Sequence, residues 1–279
     1  MSTLITGVTG AVGSRFARRM KDRREPIRVL VRTDVQAAPW WDAGYEVVVG
    51  DLREPGTAAQ AVEGIDAVVH IAAAFRGVPD EEAFAVNRDA TVALAEAAVK
   101  AGVSRFVFTS TNLVYGPGRG RPAVEDDELA AAPGFGAYPQ SKRDAEAALR
   151  AVPDLGLRIV RLAYVYGEGD PHLAQALRWA GQWPWHQRMH LVHHADASHG
   201  LWLARHAEGV DGRVYNIADD APLTAWELHE MNGATQPTGV SQTLDDPWWG
   251  IVSTDRARRE LGFRPIYPTV YAAREAGAL

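Results

Sequence analysis

The chain contains no cysteine. Disulfides, thiolate metal sites and cysteine nucleophiles are thereby excluded together, and redox chemistry says nothing of the compartment. Basic residues are in deficit: 29 Lys and Arg face 35 Asp and Glu, a formal charge of −6 at pH 7. Such a chain lacks the positive field that draws nucleic acid or an anionic membrane, so neither is expected as a partner. Long apolar runs are missing too. The most apolar stretch, 67–75, is too short to cross a bilayer and is interrupted by His70. Only Met1 and Ser2 precede the first strand-like run, so no secretory leader is expected, and a soluble, cytoplasmic protein is expected. What is present is ordinary for a globular chain: 47% hydrophobic and 23% charged among 279 residues, enough for one large α/β domain with a smaller appendage.

The first two-thirds alternates short β-branched runs with longer alanine-rich segments. Strands are expected at 3–6, 27–32, 46–50, 67–71, 105–110 and 158–162, with helices near 12–20, 57–62, 81–101 and 139–151. This alternation predicts βαβ units and a parallel sheet with helices on both faces. The strand runs are continuously apolar, as strands covered on both sides should be. Past Tyr166 the texture changes: residues 167–194 are rich in Trp, His and Gln and show no clean strand pattern. A helix at 196–207 and a strand at 213–217 return to the earlier style. The expected division is a core of 1–162 with 195–218, and a smaller lobe of 163–194 with 219–279.

Strand 3–6 runs into Gly7-Val8-Thr9-Gly10-Ala11-Val12-Gly13 and then into a helix. Glycines let the backbone approach a pyrophosphate, and the unpaired N–H groups and dipole of a helix start favour its charge. Gly7, Thr9, Gly10, Ala11, Val12 and Gly13 are therefore candidate dinucleotide contacts. The spacing G-x-x-G-x-x-G departs from the usual G-x-G-x-x-G, and a tight βα turn would use the same glycines. An acidic residue at the end of the second strand suits a ribose 2′-hydroxyl, a basic one a 2′-phosphate. Here Val29-Leu30-Val31 ends in Arg32, which favours NADP over NAD. Asp34 comes two residues late and reads as a turn or cap residue. Arg15, with Arg18, Arg19 and Lys21, reads as a solvated basic face.

Tyr138 and Lys142 stand four residues apart behind the helix-starting Pro139, so they share one helix face. A nearby cation favours a phenolate and brings tyrosine from its ordinary value of about 10 toward the range useful for proton transfer. Reduction of a carbonyl needs such an acid for the oxygen while hydride reaches the carbon. The run Phe106-Val107-Phe108 emerges as Thr109-Ser110-Thr111-Asn112, placing hydroxyls at the carboxyl end of a strand, where open parallel sheets bind ligands.

In order along the chain stand the Gly7 motif, Gly50-Asp51-Leu52, His70-Ile71-Ala72-Ala73, Asn87, Thr111 with Val114-Tyr115-Gly116, and Tyr138 with Lys142. Then follow Arg161 through Tyr166-Gly167, His193 with Asp196, Tyr215-Asn216-Ile217, and Leu261-Gly262-Phe263-Arg264-Pro265. This set resembles the extended short-chain dehydrogenase/reductases, the epimerase/dehydratase-like group, over essentially the whole chain. The resemblance implies an α/β fold: a Rossmann-type doubly wound parallel sheet with a smaller C-terminal substrate lobe. It implies that Asp51 and Leu52 lie against adenine, and that Ile71, Ala72, Ala73 and Thr109 line the cofactor. Lys142 would bond the nicotinamide ribose as well as tune Tyr138. Thr111 matches the catalytic hydroxyl and Val165 sits by the nicotinamide. Asn87 is expected to order backbone, and Asp196 could serve as a helix N-cap.

That family holds nucleotide-sugar epimerases and dehydratases beside carbonyl reductases. Sugar dehydratases resembling this chain carry an Asp-Glu pair after the catalytic Thr, where Asn112-Leu113 stands here. The position of a diphosphate-holding Asn is Tyr164, and that of an Arg is Met189, with Arg188 one place off. A misplaced guanidinium serves phosphate poorly. Trp179, Trp183, Trp185, Trp248 and Trp249 suggest an aromatic pocket, although tryptophans also pack small lobes. The expectation is an NADP(H)-dependent oxidoreductase for a hydrophobic or aromatic carbonyl or alcohol, with Asn112, Tyr164 and Trp185 touching substrate. The alternatives are a nucleotide-sugar epimerase or dehydratase with tightly bound NAD, and a non-catalytic dinucleotide sensor. Histidines 186, 190, 193 and 194 cluster in sequence, but no H-E-x-x-H spacing occurs and no metal is expected. Segments 81–101 and 139–151 offer faces for a homodimer, as in many relatives.

Overall fold

The structure is a computed structural model that describes residues 1–279 apart from Arg76, Pro237, Val240 and Ser241. Eleven strands form among the described residues. They are β1 (Thr3–Thr6), β2 (Ile27–Val31), β3 (Glu46–Val49), β4 (Ala67–His70), β5 (Arg105–Thr111) and β6 (Leu157–Leu162), then β7 (Tyr164–Tyr166), β8 (Arg188–Met189), β9 (Leu191–His193), β10 (Val214–Ile217) and β11 (Leu223–Thr224). Seven of them make one parallel sheet in the order β10-β6-β5-β4-β1-β2-β3. Ile5 lies level with Val29 on one side and Val69 on the other. The chain enters at the middle, winds outward through β2 and β3, then crosses to β4 and winds the other way. The switch falls between β1 and β4, and the loops leaving their carboxyl ends part to opposite faces and open a crevice.

Period-two geometry divides each strand between two cores. Ile5, Val29, Val69, Val107 and Val160 join Phe16, Ala17 and Met20 of helix α1 (Ala11–Asp22) and Leu201 on one face. Leu4, Leu30, Val68, Phe106 and Ile159 meet Ala58, Leu94, Ala98 and Leu149 on the other. Both faces are covered, which is why the strand runs read as uninterrupted apolar segments. The expected strands agree with the observed ones to within a residue at each end.

The longest helix in a segment the sequence pattern left unassigned is α2 (Asp34–Asp42). Thr33 caps it, its hydroxyl oxygen accepting from the Gln36 N–H. Asp34 is thus the first helical residue and not the cap, at a position where an acidic side chain complements the dipole. Pro39 inside the helix and paired tryptophans obscured the periodicity. Helix α3 (Thr57–Val62) matches expectation. The 81–101 segment is α4 (Asp80–Phe84), a π-helical turn (Ala85–Asp89) and α5 (Ala90–Lys100) in series. Then come α6 (Tyr138–Arg150), α7 (His172–Gln175), α8 (Leu177–Ala180) and α9 (His194–His206).

A third core gathers Tyr166, Leu173, Leu191, Leu223, Leu228 and Val270 from separate stretches of chain. Here β7 pairs with β9 and β8 with β11, strands of two or three residues that leave no periodic signal. Asp196 does not cap α9. His193 does, with Nδ1 accepting from the Ala195 N–H, while the Asp196 carboxylate accepts the backbone N–H groups of Ile266 and Tyr267 at 2.5 and 3.0 Å. Arg15 and Arg19 likewise have a structural use. Both bond Glu168, tying α1 to the segment after β7 rather than facing solvent unengaged. No helix among the described residues is long and apolar enough to cross a membrane.

Candidate active site

At the β1–α1 turn the backbone closes on itself. Gly7 has φ +76°, and a Cβ there would stand 2.5 Å from the Ala72 nitrogen. A Cβ on Gly13 would come within 2.2 Å of the Gly7 carbonyl oxygen. Gly10 occupies the N-cap of α1 and supplies no side-chain cap, so the first N–H groups of this 12-residue helix face the crevice. Thr6 holds the opposite wall in place. Its hydroxyl oxygen accepts from the N–H groups of Ile71 and Ala72, both at 3.2 Å, and pairs with His70 Nδ1 at 2.7 Å. His70 Nε2 meets Thr91 Oγ1 at 2.8 Å. Burial, helped by the Lys142 charge, pushes this imidazole down to about 3, so it works as a neutral strut. Asn87 orders backbone as expected: its amide bonds both the N–H and the carbonyl of Ala74, and the Ser141 hydroxyl.

One cleft of about 610 Å³ follows the carboxyl ends of the strands. At one end it is lined by Gly7, Thr9, Gly10, Ala11, Val12 and Gly13, with Arg32, Asp51 and Leu52 beyond them. Arg53 and Gln36, which no sequence signal singled out, complete this end. Arg53 donates to both Asp51 oxygens, at 3.0 and 2.6 Å, and holds that carboxyl below the usual range. The Gln36 side chain accepts from the Arg32 N–H, leaving the exposed Arg32 guanidinium directed by backbone fixed in place.

The middle of the cleft is lined by Ile71, Ala72, Ala73, Thr109, Thr111 and Val165, together with Tyr138 and Lys142. Tyr138 opens α6 with Pro139 behind it, and its ring takes the edge of Phe75 at 4.5 Å between centroids. Lys142, one turn on, is fully enclosed. Its Nζ donates to the Thr109 carbonyl at 2.8 Å and lies 4.4 Å from the centre of the Phe108 ring. Burial pushes the ammonium down to about 7 against the upward pull of Glu146. The Thr111 oxygen accepts from the Leu113 N–H, which leaves the hydroxyl proton for a group in the cleft. The Thr109 hydroxyl is buried and meets no hydrogen-bond partner.

Beneath this floor runs a buried polar network. Glu146 accepts Ser110 at 2.6 Å and takes Arg161 through two bonds of 3.0 and 2.6 Å. Arg161 continues to the Tyr115 hydroxyl, which donates to Asn216.

At the far end stand Phe135, Trp179, Trp183 and Trp249, with Tyr164, Met189 and Arg188. Phe135 stacks on Trp249 at 5.8 Å, and Trp183 meets Trp249 edge-on. Asn112 and Tyr164, expected to touch substrate, line the cleft, each already engaged: Asn112 donates to the Gly250 carbonyl and Tyr164 to that of His172. Trp185 does not line it. It is 47% exposed and packs edge-on with His186 and Trp226, because the loop turns between Trp183 and Trp185 and presents only the former. Arg188, set aside on spacing, does reach the cleft, donating to the Pro247 carbonyl and resting over Trp248. The clustered histidines part company: His190 bonds the Asp219 carbonyl, His193 that of Ala278 and His194 the Asp170 carboxylate. No group of three metal-ligating side chains forms among the described residues.

Comparison with known proteins bears on the family and the fold. Residues 3–218 match the model of the NAD dependent epimerase/dehydratase family. The chain is 32% identical to a 3 beta-hydroxysteroid dehydrogenase/Delta 5-->4-isomerase of Mycobacterium tuberculosis, over 98% of this chain and 88% of that protein. It is 28% identical to a 4-hydroxy-2-methyl-3-oxo-4-farnesyl-3,4-dihydroquinoline-1-oxide ketoreductase of Stigmatella aurantiaca, over 80% and 70% respectively. The structure of a dTDP-glucose 4,6-dehydratase from Streptomyces venezuelae with NAD bound superposes with a TM-score of 0.74 at 27% identity, covering 99% of this chain and 97% of that one.

Proposed function

The chain belongs to the NAD-dependent epimerase/dehydratase family of extended short-chain dehydrogenase/reductases, and from that premise we propose that it moves hydride between NADP(H) and a hydrophobic or aromatic carbonyl or alcohol. One observation carries the reading. A single cleft joins a glycine-cradled helix start to Tyr138 and Lys142 and then to a wall of aromatic rings. The residues present fit a dinucleotide: an uncapped N-terminus on α1, a turn in which a Cβ at Gly7 would collide with backbone, and an orphaned buried hydroxyl on Thr109. Gly7 to Gly13 would hold the pyrophosphate and Lys142 the ribose. Arg32, with Arg53 beside it, supports a 2′-phosphate and hence NADP.

When bound, the nicotinamide supplies or removes the hydride. The chain's own part is proton transfer and orientation. Tyr138 gives its phenolic proton to the carbonyl oxygen and takes it back in the oxidative direction. Thr111 donates a second hydrogen bond to the same oxygen. Lys142, while protonated, brings positive charge to the helix face of Tyr138 and lowers the cost of the phenolate. The aromatic wall excludes water and receives the substrate's rings.

Arg188 favours a second reading, since a cation lining the far end is a group that a nucleotide-sugar phosphate could use. In that case the chain is an epimerase or dehydratase working with retained NAD. Following NADPH and NADH consumption against aromatic ketones, aldehydes and nucleotide sugars separates the two. Net NADPH oxidation with aromatic carbonyls is expected; sugar-nucleotide turnover without net oxidation, or a strong preference for NADH, would overturn the first reading.

A further inference from the structure

A second, smaller cavity of about 190 Å³ opens beside the cleft. The two share Ala74, Val78, Phe135, Tyr138 and Trp179, so Tyr138 stands where they meet. Among the described residues the chamber's other walls are short, Gly77, Ala83, Gly134, Gly136 and Ala137, with the exposed Asp80 at one side. Gly77, Gly134 and Gly136 have positive φ, which favours glycine, and a Cβ built on any of the three would meet no atom within 4 Å. No neighbouring atom presses on these glycines where a side chain would begin, and they leave room.

At 190 Å³ the chamber lies below the roughly 300–1,000 Å³ that engulfs a whole small ligand. It suits part of a ligand whose remainder lies in the cleft. A carbonyl whose oxygen bonds Tyr138 carries its two substituents away from that oxygen on either side. One side leads past Trp179 and Phe135 toward Trp183 and Trp249; the other leads into the small-walled chamber. We infer that the substrate is a ketone with two carbon substituents, a larger aromatic one for the cleft and a shorter apolar one for the chamber. An aldehyde would leave the chamber unfilled, and Asp80 disfavours an anionic group there. The inference rests on the proposed carbonyl chemistry and narrows it.

The test is a series of aryl carbonyls, Ar–CO–R, with R running from hydrogen through methyl to pentyl, assayed with NADPH and the full chain. Each methylene buried in the chamber is expected to raise kcat/KM about fourfold until the chamber fills. Ala83→Leu fills it from α4, where Ala83 is buried. This variant is expected to lower the ratio of butyl ketone to aldehyde turnover at least tenfold. Gly134→Asn fills it from the opposite loop with a residue that tolerates φ near +82°, and should do the same, so the effect does not hang on the folding of one variant. Faster turnover of the aldehyde than of every ketone would overturn the inference, as would an unchanged ratio in both variants; either leaves the carbonyl chemistry standing. Absence of turnover on every carbonyl with either cofactor would overturn the proposed function and this inference with it.

Discussion

Replacing Glu146 by glutamine removes the charge from one half of an ion pair whose partners are 1% and 2% exposed. In the wild-type chain Arg161 donates to both Glu146 oxygens, and Ser110 adds a third bond to the same carboxylate. After the substitution the guanidinium keeps the Tyr115 hydroxyl and the Glu125 carbonyl, both neutral acceptors, and loses the carboxylate it bonds. Breaking such a pair from one side costs about 3–5 kcal/mol. For a chain of this size each kcal/mol moves the melting temperature by roughly 2–4 °C. Thermal melts at pH 7 are therefore expected to show a fall of roughly 10 °C. A second readout distinguishes the charge from mere packing. Glu146 pulls the Lys142 ammonium upward against burial; without it Lys142 loses its proton at lower pH still, and the basic limb of the rate profile moves to lower pH. The double variant Glu146→Leu with Arg161→Met removes both charges and should recover much of the stability lost in either single one. A Glu146→Gln protein that melts within a degree of wild type, or a double variant worse than both singles, would refute the reasoning.

Tyr138→Phe is expected to reduce kcat by about 10²–10⁴ while NADPH binding, followed by fluorescence titration, stays within a factor of two or so; comparable rates would remove the tyrosine from the chemistry. Arg32→Ala should weaken NADPH about tenfold and NADH hardly at all, since only the former has a 2′-phosphate for a charge-assisted bond; equal losses in dissociation constants would count against NADP. Asp219 is fully buried, and its oxygens meet no donor in good geometry. Burial outweighs the nearby Ala221 N–H and raises this carboxyl to about 9. Its folded value lies above its unfolded one, so its contribution is most favourable below about pH 4 and is lost as pH rises toward 9. Asp219→Asn should thus melt higher than wild type at pH 8 and show a flatter pH dependence between 5 and 9; parallel pH curves would contradict it.

Much of this architecture is written in local pattern. Continuous β-branched runs mark the sheet because both its faces are covered, and the Gly7 turn marks the helix start because only glycine fits against Ala72 and Gly7 itself. Tyr138 and Lys142 are legible because helical spacing puts them on one face. What eluded the pattern depends on contacts made at a distance. Helix α2 rests on the Thr33 cap and on the burial of Ala37 and Trp40, and carries a proline that argues against it. Arg53 and Gln36 matter through Asp51 and the Arg32 backbone, relations that no spacing reveals. Aromatic composition pointed to a ring-lined pocket but carried no direction: Trp183 turns inward and Trp185 outward two residues later, while Phe75 and Phe135 lie far away in sequence. Arg188 shows the same limit, since a two-residue strand gives no register to read.

Phe135, Trp183 and Trp249 stand on loops and Trp179 on the one-turn helix α8, all outside the seven-stranded sheet. Gly7 and Ala72, by contrast, are pressed together at its centre, so a change in one displaces the other. Heritable change is therefore unequally tolerated across a single cleft: the ring-bearing rim can drift from one molecule's shape to another's at little cost to folding, while the glycine turn is mechanically frozen. On the proposed function, such a chain would change what it accepts by substitutions at the rim and leave the turn as it is.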